Sequence, residues 1–358
     1  MTDARVVAGD LHTLDPARPH AEAMAIAGGR ILAVGTLAQA RAAAPPGAPV
    51  THLPGVVLPG FTDSHLHMLY AGIELERLDC SSVRSVPELL DRIARAPRAD
   101  WLYAVGNFEV EDLAERRLPT RAELDGVTGD RPLFIDQRTH DAIANSAALR
   151  LAGIDRDTPD PPGGEIERDG DGEPTGRLVE RPAFDLVFRL IPPPDRAALL
   201  RALRAIQPPL HALGLTGVLD PGLEPEQLGA YQAAWEAGEL TMRTTAMPLV
   251  TDTSFLTGPG VRTGFGDDRL RLGGVKVYYD GTGSFGTALL REPWPRRDSP
   301  GTRVIERERF LDIARACARA SWSLGVHAVG GGAIDEVLAA FAEADRVRPI
   351  RPLRFTLI

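Results

Sequence analysis

Hydrophobic and polar positions divide the chain into three patterns. From residue 5 to residue 60, short apolar runs alternate with turn residues and read as β structure. Val6-Val7-Ala8 is followed by Leu11 and Leu14. Ala23-Met24-Ala25-Ile26-Ala27 and Arg30-Ile31-Leu32-Ala33-Val34 flank Gly28-Gly29, two turn positions free to take positive φ, which predicts a hairpin. The alanine-rich stretch from Leu37 to Ala44 predicts a short helix. Further on, Ser85-Val86-Pro87-Glu88 has capping-box spacing with proline in the first turn, and Leu89, Leu90, Ile93 and Ala94 give that helix an apolar face. It is expected to be the first helix of the main domain.

Between residues 101 and 185 the pattern changes. Trp101 to Gly106 and Pro132 to Ile135 predict strands, and Thr120-Arg121-Ala122-Glu123 between them predicts another helix start. Pro161-Pro162-Gly163-Gly164 and Asp169-Gly170-Asp171-Gly172 are turn clusters. Past residue 186, strand and helix patterns alternate. A helical pattern from Asp195 to Leu213 contains Pro208-Pro209, expected to kink or end it. Strands are expected at Thr216 to Asp220, Met242 to Val250, Gly274 to Asp280, Ser323 to His327 and Leu353 to Ile358. Helices are expected from Glu226 to Gly238, Glu306 to Ala320 and Ala333 to Arg346. Parallel strands with helical crossovers suit an α/β fold of the (β/α) barrel type.

Composition narrows the function. A chain of 358 residues has room for more than one compact domain, and 44% hydrophobic with 25% charged residues is ordinary for a globular protein. The net charge of −9 and the lack of a lysine or arginine block argue against nucleic acid as partner. Neither a basic leader nor an apolar run of membrane-spanning length is present, so the expected location is cytoplasmic, with no membrane partner. Cys80 and Cys317 form no Cys-x-x-Cys pair and read as small buried hydrophobes.

The chemistry centres on Pro59-Gly60-Phe61-Thr62-Asp63-Ser64-His65-Leu66-His67. On a strand, His65 and His67 would project from one face about 7 Å apart, close enough to share a cation. Exposed or hydrogen-bonded histidines are the plainer alternative. The context favours a site, because polar residues at the carboxyl end of a buried strand are where barrel enzymes place their chemistry. Here the sequence resembles the amidohydrolase superfamily, whose first barrel strand ends in Pro-Gly-Phe-x-Asp-x-His-x-His, and within it the YtcJ-like branch. Leu118-Pro119-Thr120-Arg121, Asn145-Ser146-Ala147-Ala148-Leu149 and Gly172-Glu173-Pro174-Thr175-Gly176 match landmarks of a subdomain that this branch inserts after the first strand.

The resemblance implies an organisation and a site. Residues 1–58 would be the N-terminal part of a β-sandwich, 59–100 the first barrel strand and helix, 101–185 the inserted α+β subdomain, and 186–358 barrel strands two to six. Six strands leave a (β/α)8 barrel incomplete, so the chain is expected to be a C-terminally truncated piece of a longer enzyme. The metal ligands implied are His65, His67, Lys276 and His327, for one or two zinc ions, with iron or manganese as alternatives. Lys276, otherwise readable as a surface lysine, would become a metal-bridging carbamate. His327, otherwise a core histidine, lies in His327-Ala328-Val329-Gly330. The following Gly331-Gly332 replaces the Asp-Arg common in relatives. His140, behind Thr139 where relatives have glycine, is a substrate contact or a structural residue. Glu180 is a weaker candidate of the same kind, and Asp280-Gly281 could close over substrate. The general-base aspartate and a further histidine would fall beyond Ile358. His12, His20, His52 and His211 read as surface or structural.

The implied activity is metal-dependent hydrolysis of non-peptide carbon–nitrogen bonds in a small-molecule substrate. Ester, lactone or phosphotriester hydrolysis, or a non-catalytic truncated fragment, are the alternatives. The oligomeric state, homo-oligomer included, stays open.

Overall fold

The computed structural model describes residues 4–358 apart from 98, 107, 109, 138–140, 162–163, 180, 259, 284–285 and 296–298. The chain divides into two compact units, Met1–Thr62 with Gly214–Thr216, and Asp63–Leu213 with Gly217–Ile358.

In the first unit, β1 (Arg5–His12), β2 (His20–Ala27), β3 (Arg30–Gly35) and β4 (Val50–Val57) make one sheet in the order β3–β2–β1–β4. Strands β1 and β2 are antiparallel and β1 and β4 parallel. Gly28 and Gly29 turn between β2 and β3 with φ of 57° and 72°, the conformation the Gly-Gly pair predicts. Helix α1 (Leu37–Ala43) begins at a capping box between Thr36 and Gln39. Its Ala40 is buried with Val6, Ala8, Ala23 and Ala25. Strand β5 (Phe61–Asp63) spans the unit boundary, and its Phe61 N–H donates to the Gly214 carbonyl at 2.9 Å.

The second unit opens with α2 (Met68–Leu75) and then builds the inserted subdomain. It holds β6 (Leu78–Asp79), α3 (Val86–Ala94), β7 (Leu102–Gly106), α4 (Arg121–Thr128), β8 (Leu133–Gln137), β9 (Asp141–Ala144), α5 (Ser146–Ala152), β10 (Glu165–Arg168), β11 (Pro174–Val179) and α6 (Arg181–Phe188). The six strands lie in the order β10–β11–β9–β8–β7–β6. The landmark motifs do structural work here. Asn145 is fully buried: its Oδ1 accepts from the Leu133 and Ala148 N–H groups, and its Nδ2 donates to Thr128 and the Arg131 carbonyl. Thr120 and Glu123 form the reciprocal cap of α4.

One expectation needs correction. Helix α3 starts as predicted, with Ser85 capping and Pro87 in the first turn. Its Val86, Leu89 and Ile93 are buried with Leu102, Leu124 and Leu133, in the core of the insertion over the parallel β7 and β8, rather than with the strands that follow residue 186. An amphipathic face shows that a helix must be covered, and leaves its cover unnamed.

The remaining elements alternate. They are α7 (Arg196–Ala212), β12 (Leu215–Leu223), α8 (Pro225–Glu236), β13 (Arg243–Pro248), α9 (Ser254–Thr257), β14 (Leu270–Leu272), β15 (Val275–Tyr278), α10 (Arg307–Ala320), β16 (Leu324–His327), α11 (Gly331–Val347) and β17 (Thr356–Leu357). Helix α7 runs through Pro208 and Pro209 to Ala212 instead of ending at them. One sheet has the order β14–β13–β12–β5 and another β15–β16–β17, and a parallel bridge from Leu249 to Lys276 links β15 to the end of β13. The pairs β12/β13, β13/β14, β15/β16 and β16/β17 are parallel. Among the described residues these strands do not close into a ring.

Alternation along β15 and β16 decides what faces where. Val275, Val277, Leu324 and Val326 are buried in a core with Phe310, Ile313 and Cys317 of α10 and Val337 and Phe341 of α11. Lys276, Tyr278 and His327 are absent from that core and meet one another on the opposite face. Cys80 and Cys317 are both buried, as their sequence setting suggests. Among the described residues no helix is long and apolar enough to cross a membrane.

Candidate metal centre

The His-x-His segment lies past its strand. Strand β5 ends at Asp63, and His67 is already the N-cap residue of α2, so the two histidines sit in the connecting turn and not on a pleated face. Asp63 tightens that turn by accepting the His65 N–H at 2.9 Å, and the Leu66 N–H donates to the Leu219 carbonyl of β12 at 3.0 Å. The rings nevertheless face each other, with centroids 5.3 Å apart.

Lys276 and His327 come from neighbouring parallel strands. Lys276 pairs in register with Gly325, and Tyr278 with His327. The Lys276 ammonium lies 5.0 Å from the centre of the Tyr278 ring, whose centroid is 5.4 Å from that of His327. His327 Nε2 is 3.0 Å from the Gly281 carbonyl, a bond that requires its proton on Nε2 and leaves Nδ1 as the basic nitrogen.

Electrostatics join the two halves. Burial, then the Lys276 charge, then His67 lower the His65 pKa; Asp63 opposes them and His327 adds a smaller depression. Burial and Lys276 likewise lower His67, against the Pro221 carbonyl, which favours the protonated ring. Lys276 is only 1% exposed, and burial brings its amine down to about 8. Four nitrogen bases thus share one region, and His65, His67 and Lys276 are pushed toward their neutral, electron-donating forms. A divalent cation suits that donor set.

Among the described residues, only Asp10, His12 and His20 bring three donor atoms within 4.8 Å of one another. They lie at the paired ends of β1 and β2, with Asp10 and His20 exposed; the sequence reads the two histidines as surface or structural. His65, His67 and His327 do not bring three donor atoms within that distance of one another.

Asp280 is 1% exposed and holds three backbone N–H groups, those of Leu289, Val329 and Gly330. It fastens the loops around His327. His140 and Glu180 lie outside the described residues.

Two further residues belong here. Asp220, on β12, is 1% exposed and lies 3.9 Å from His67 Nδ1. Burial raises its carboxyl to about 6 against hydrogen bonds from the Tyr231 hydroxyl and the start of α2. Tyr278 shares the Lys276 face. Both were visible as polar residues near the carboxyl ends of predicted parallel strands.

Comparisons with known proteins give the chain its family. The amidohydrolase family model matches residues 55–356. The N-substituted formamide deformylase of Arthrobacter pascens is 32% identical over 97% of this chain and 67% of its own length. The putative amidohydrolase YtcJ of Bacillus subtilis (strain 168) is 33% identical over 80% of this chain and 55% of its own. This chain therefore spans about two thirds or less of these relatives. Among solved structures, an uncharacterized metal-dependent hydrolase from Pyrococcus furiosus superposes with a TM-score of 0.77 at 26% identity, covering 99% of this chain and 76% of that one. With the His-x-His turn, the buried strand lysine and the insertion's landmarks all in place, the chain belongs to the amidohydrolase family, in its YtcJ-like branch.

Proposed function

We propose that this protein is a metal-dependent hydrolase of carbon–nitrogen bonds in small amides, with N-substituted formamides the first substrates to test. The observation that carries the reading is the gathering of His65, His67, Lys276 and His327, felt electrostatically at His65. The deformylase named above supports the bond class. The parallel strands are read as part of a (β/α)8 barrel.

Each residue has a defined task in this reading. His65, His67 and, through Nδ1, His327 would hold the divalent metal. Bound zinc would lower the pKa of a water and polarise the substrate carbonyl. Carboxylated, Lys276 would add an anionic oxygen ligand: its neutral amine would attack carbon dioxide, forming a nitrogen–carbon bond as one C=O π bond opens, and the nitrogen would lose a proton to solvent. An amine held near 8 is neutral often enough at physiological pH to react. Tyr278 lies over Lys276 and His327 and screens them from water. His140 and Glu180 are the proposed substrate contacts, and Asp280 acts on the pocket through the loops it fastens.

The overall reaction consumes one water and releases amine and formate. Purified protein, stripped and reloaded with zinc, is expected to release formate from N-alkyl or N-benzyl formamides, and His65→Ala to abolish the release. Turnover of esters or lactones without turnover of any amide would reject the assignment.

A further inference from the structure

Helix α2 begins at His67, yet the His67 side chain makes no cap hydrogen bond. A residue on another strand fills the role. Asp220 Oδ2 accepts the Leu69 N–H at 3.1 Å and the Tyr231 hydroxyl at 2.5 Å. Its other oxygen, Oδ1, faces His67 Nδ1 at 3.9 Å. Asp220 is 1% exposed and Tyr231 is completely buried.

A helix cap alone does not require this arrangement. An exposed serine or aspartate at the N-cap would do the same work without taking a carboxylate and a phenol out of water. What the arrangement adds is orientation. The Tyr231 hydroxyl and the Leu69 N–H fix the rotation of the carboxylate, and its remaining oxygen lies 3.9 Å from one nitrogen of one candidate ligand, within ion-pair range and beyond hydrogen-bond length.

We propose that Asp220 is a positioning residue for the metal centre. It holds His67 in the tautomer protonated on Nδ1 and so presents Nε2 to the cation, while Tyr231 locks the carboxylate. Through Leu69 it also anchors the first turn of α2, so backbone and ring of His67 are set by the same group. Partners of this kind orient metal-bound imidazoles and raise their basicity. The inference rests on His67 being a ligand, as argued above.

Asp220→Asn separates orientation from capping. Both donors on Oδ2 require an oxygen there, so the asparagine amide must turn its NH2 toward His67. Two N–H groups cannot face each other, and the ring moves its proton to Nε2, the wrong tautomer for ligation. The same logic explains why aspartate-to-asparagine disables a Ser-His-Asp triad.

Zinc affinity is measured by chelator competition, unfolding of the stripped protein in urea, and the His67 tautomer by nitrogen NMR, in wild type, D220N, Y231F and H67A. D220N is expected to weaken zinc binding roughly 10- to 100-fold, to leave the urea midpoint nearly unchanged, and to move the ring proton to Nε2. Y231F should give a smaller loss of affinity in the same direction. Unchanged affinity or an unchanged tautomer in D220N overturns the proposal. If D220N does not fold, wild-type affinity in Y231F overturns it. Equal zinc binding by H67A and wild type would instead reject His67 as a ligand, a distinguishable failure.

Discussion

Lys276 is the residue whose burial most needs a reason. Its side chain is 1% exposed, no acid among the described residues pairs with it, and burial alone accounts for its lowered pKa. An ammonium in such a place destabilises the fold, and a methionine of similar length would not. Lys276→Met is therefore expected to make the metal-free protein more stable, by about 1–3 kcal/mol in urea unfolding, while the same variant loses most of its bound metal by elemental analysis. A variant that is less stable when stripped and binds metal normally would mark the lysine as structural. The lysine was legible only through the family resemblance, since Gly273-Gly274-Val275-Lys276-Val277 taken alone reads as a strand with a surface lysine. Asp220 was legible only as the polar end of a predicted strand; its partners, His67 and Leu69, are distant in sequence, and no local pattern joins them.

At the level of elements, α2 matters most because it begins at His67. It lies against α7 at Gly72, where an added Cβ would come 2.4 Å from the Ala202 carbonyl oxygen and 2.8 Å from its carbon. Backbone atoms cannot yield as a flexible side chain would. Gly72→Ala is expected to cost about 1–3 kcal/mol of stability and, by displacing the first turn of α2, to weaken metal binding. Normal zinc affinity in a destabilised G72A would show that α2 can move without carrying His67. Local signals predicted element starts correctly where a cap was read: those at Ser85 and Thr120 both form. Partner choice was not local. The periodicity of α3 marks an apolar face equally well for the insertion's core and for a barrel wall, and only the three-dimensional pairing of β7 with β8 decides between them. The His-x-His turn shows the same limit, since a three-residue strand that stops at Asp63 looks, in sequence, like one continuing to His67.

Across the whole molecule, the proposed ligands come from a turn near the start of the second unit and from two strands near its end, so a bound cation would tie together segments that the unfolded chain keeps far apart. Unfolded histidines bind zinc weakly and an unfolded lysine, protonated at neutral pH, does not bind it. The ion therefore favours the folded state by mass action, by about 2.7 kcal/mol at a free concentration one hundred times its dissociation constant. Adding zinc to stripped protein is expected to raise Tm in calorimetry, chelator to reverse the rise, and His65→Ala with Lys276→Met to remove it. The Asp10, His12 and His20 group supplies an internal contrast, because an ion held there would still raise Tm in that double variant. A rise that survives the double variant and disappears in His20→Ala would move the stabilising ion to the first unit and leave the gathering of bases around His65 without a cation to explain it.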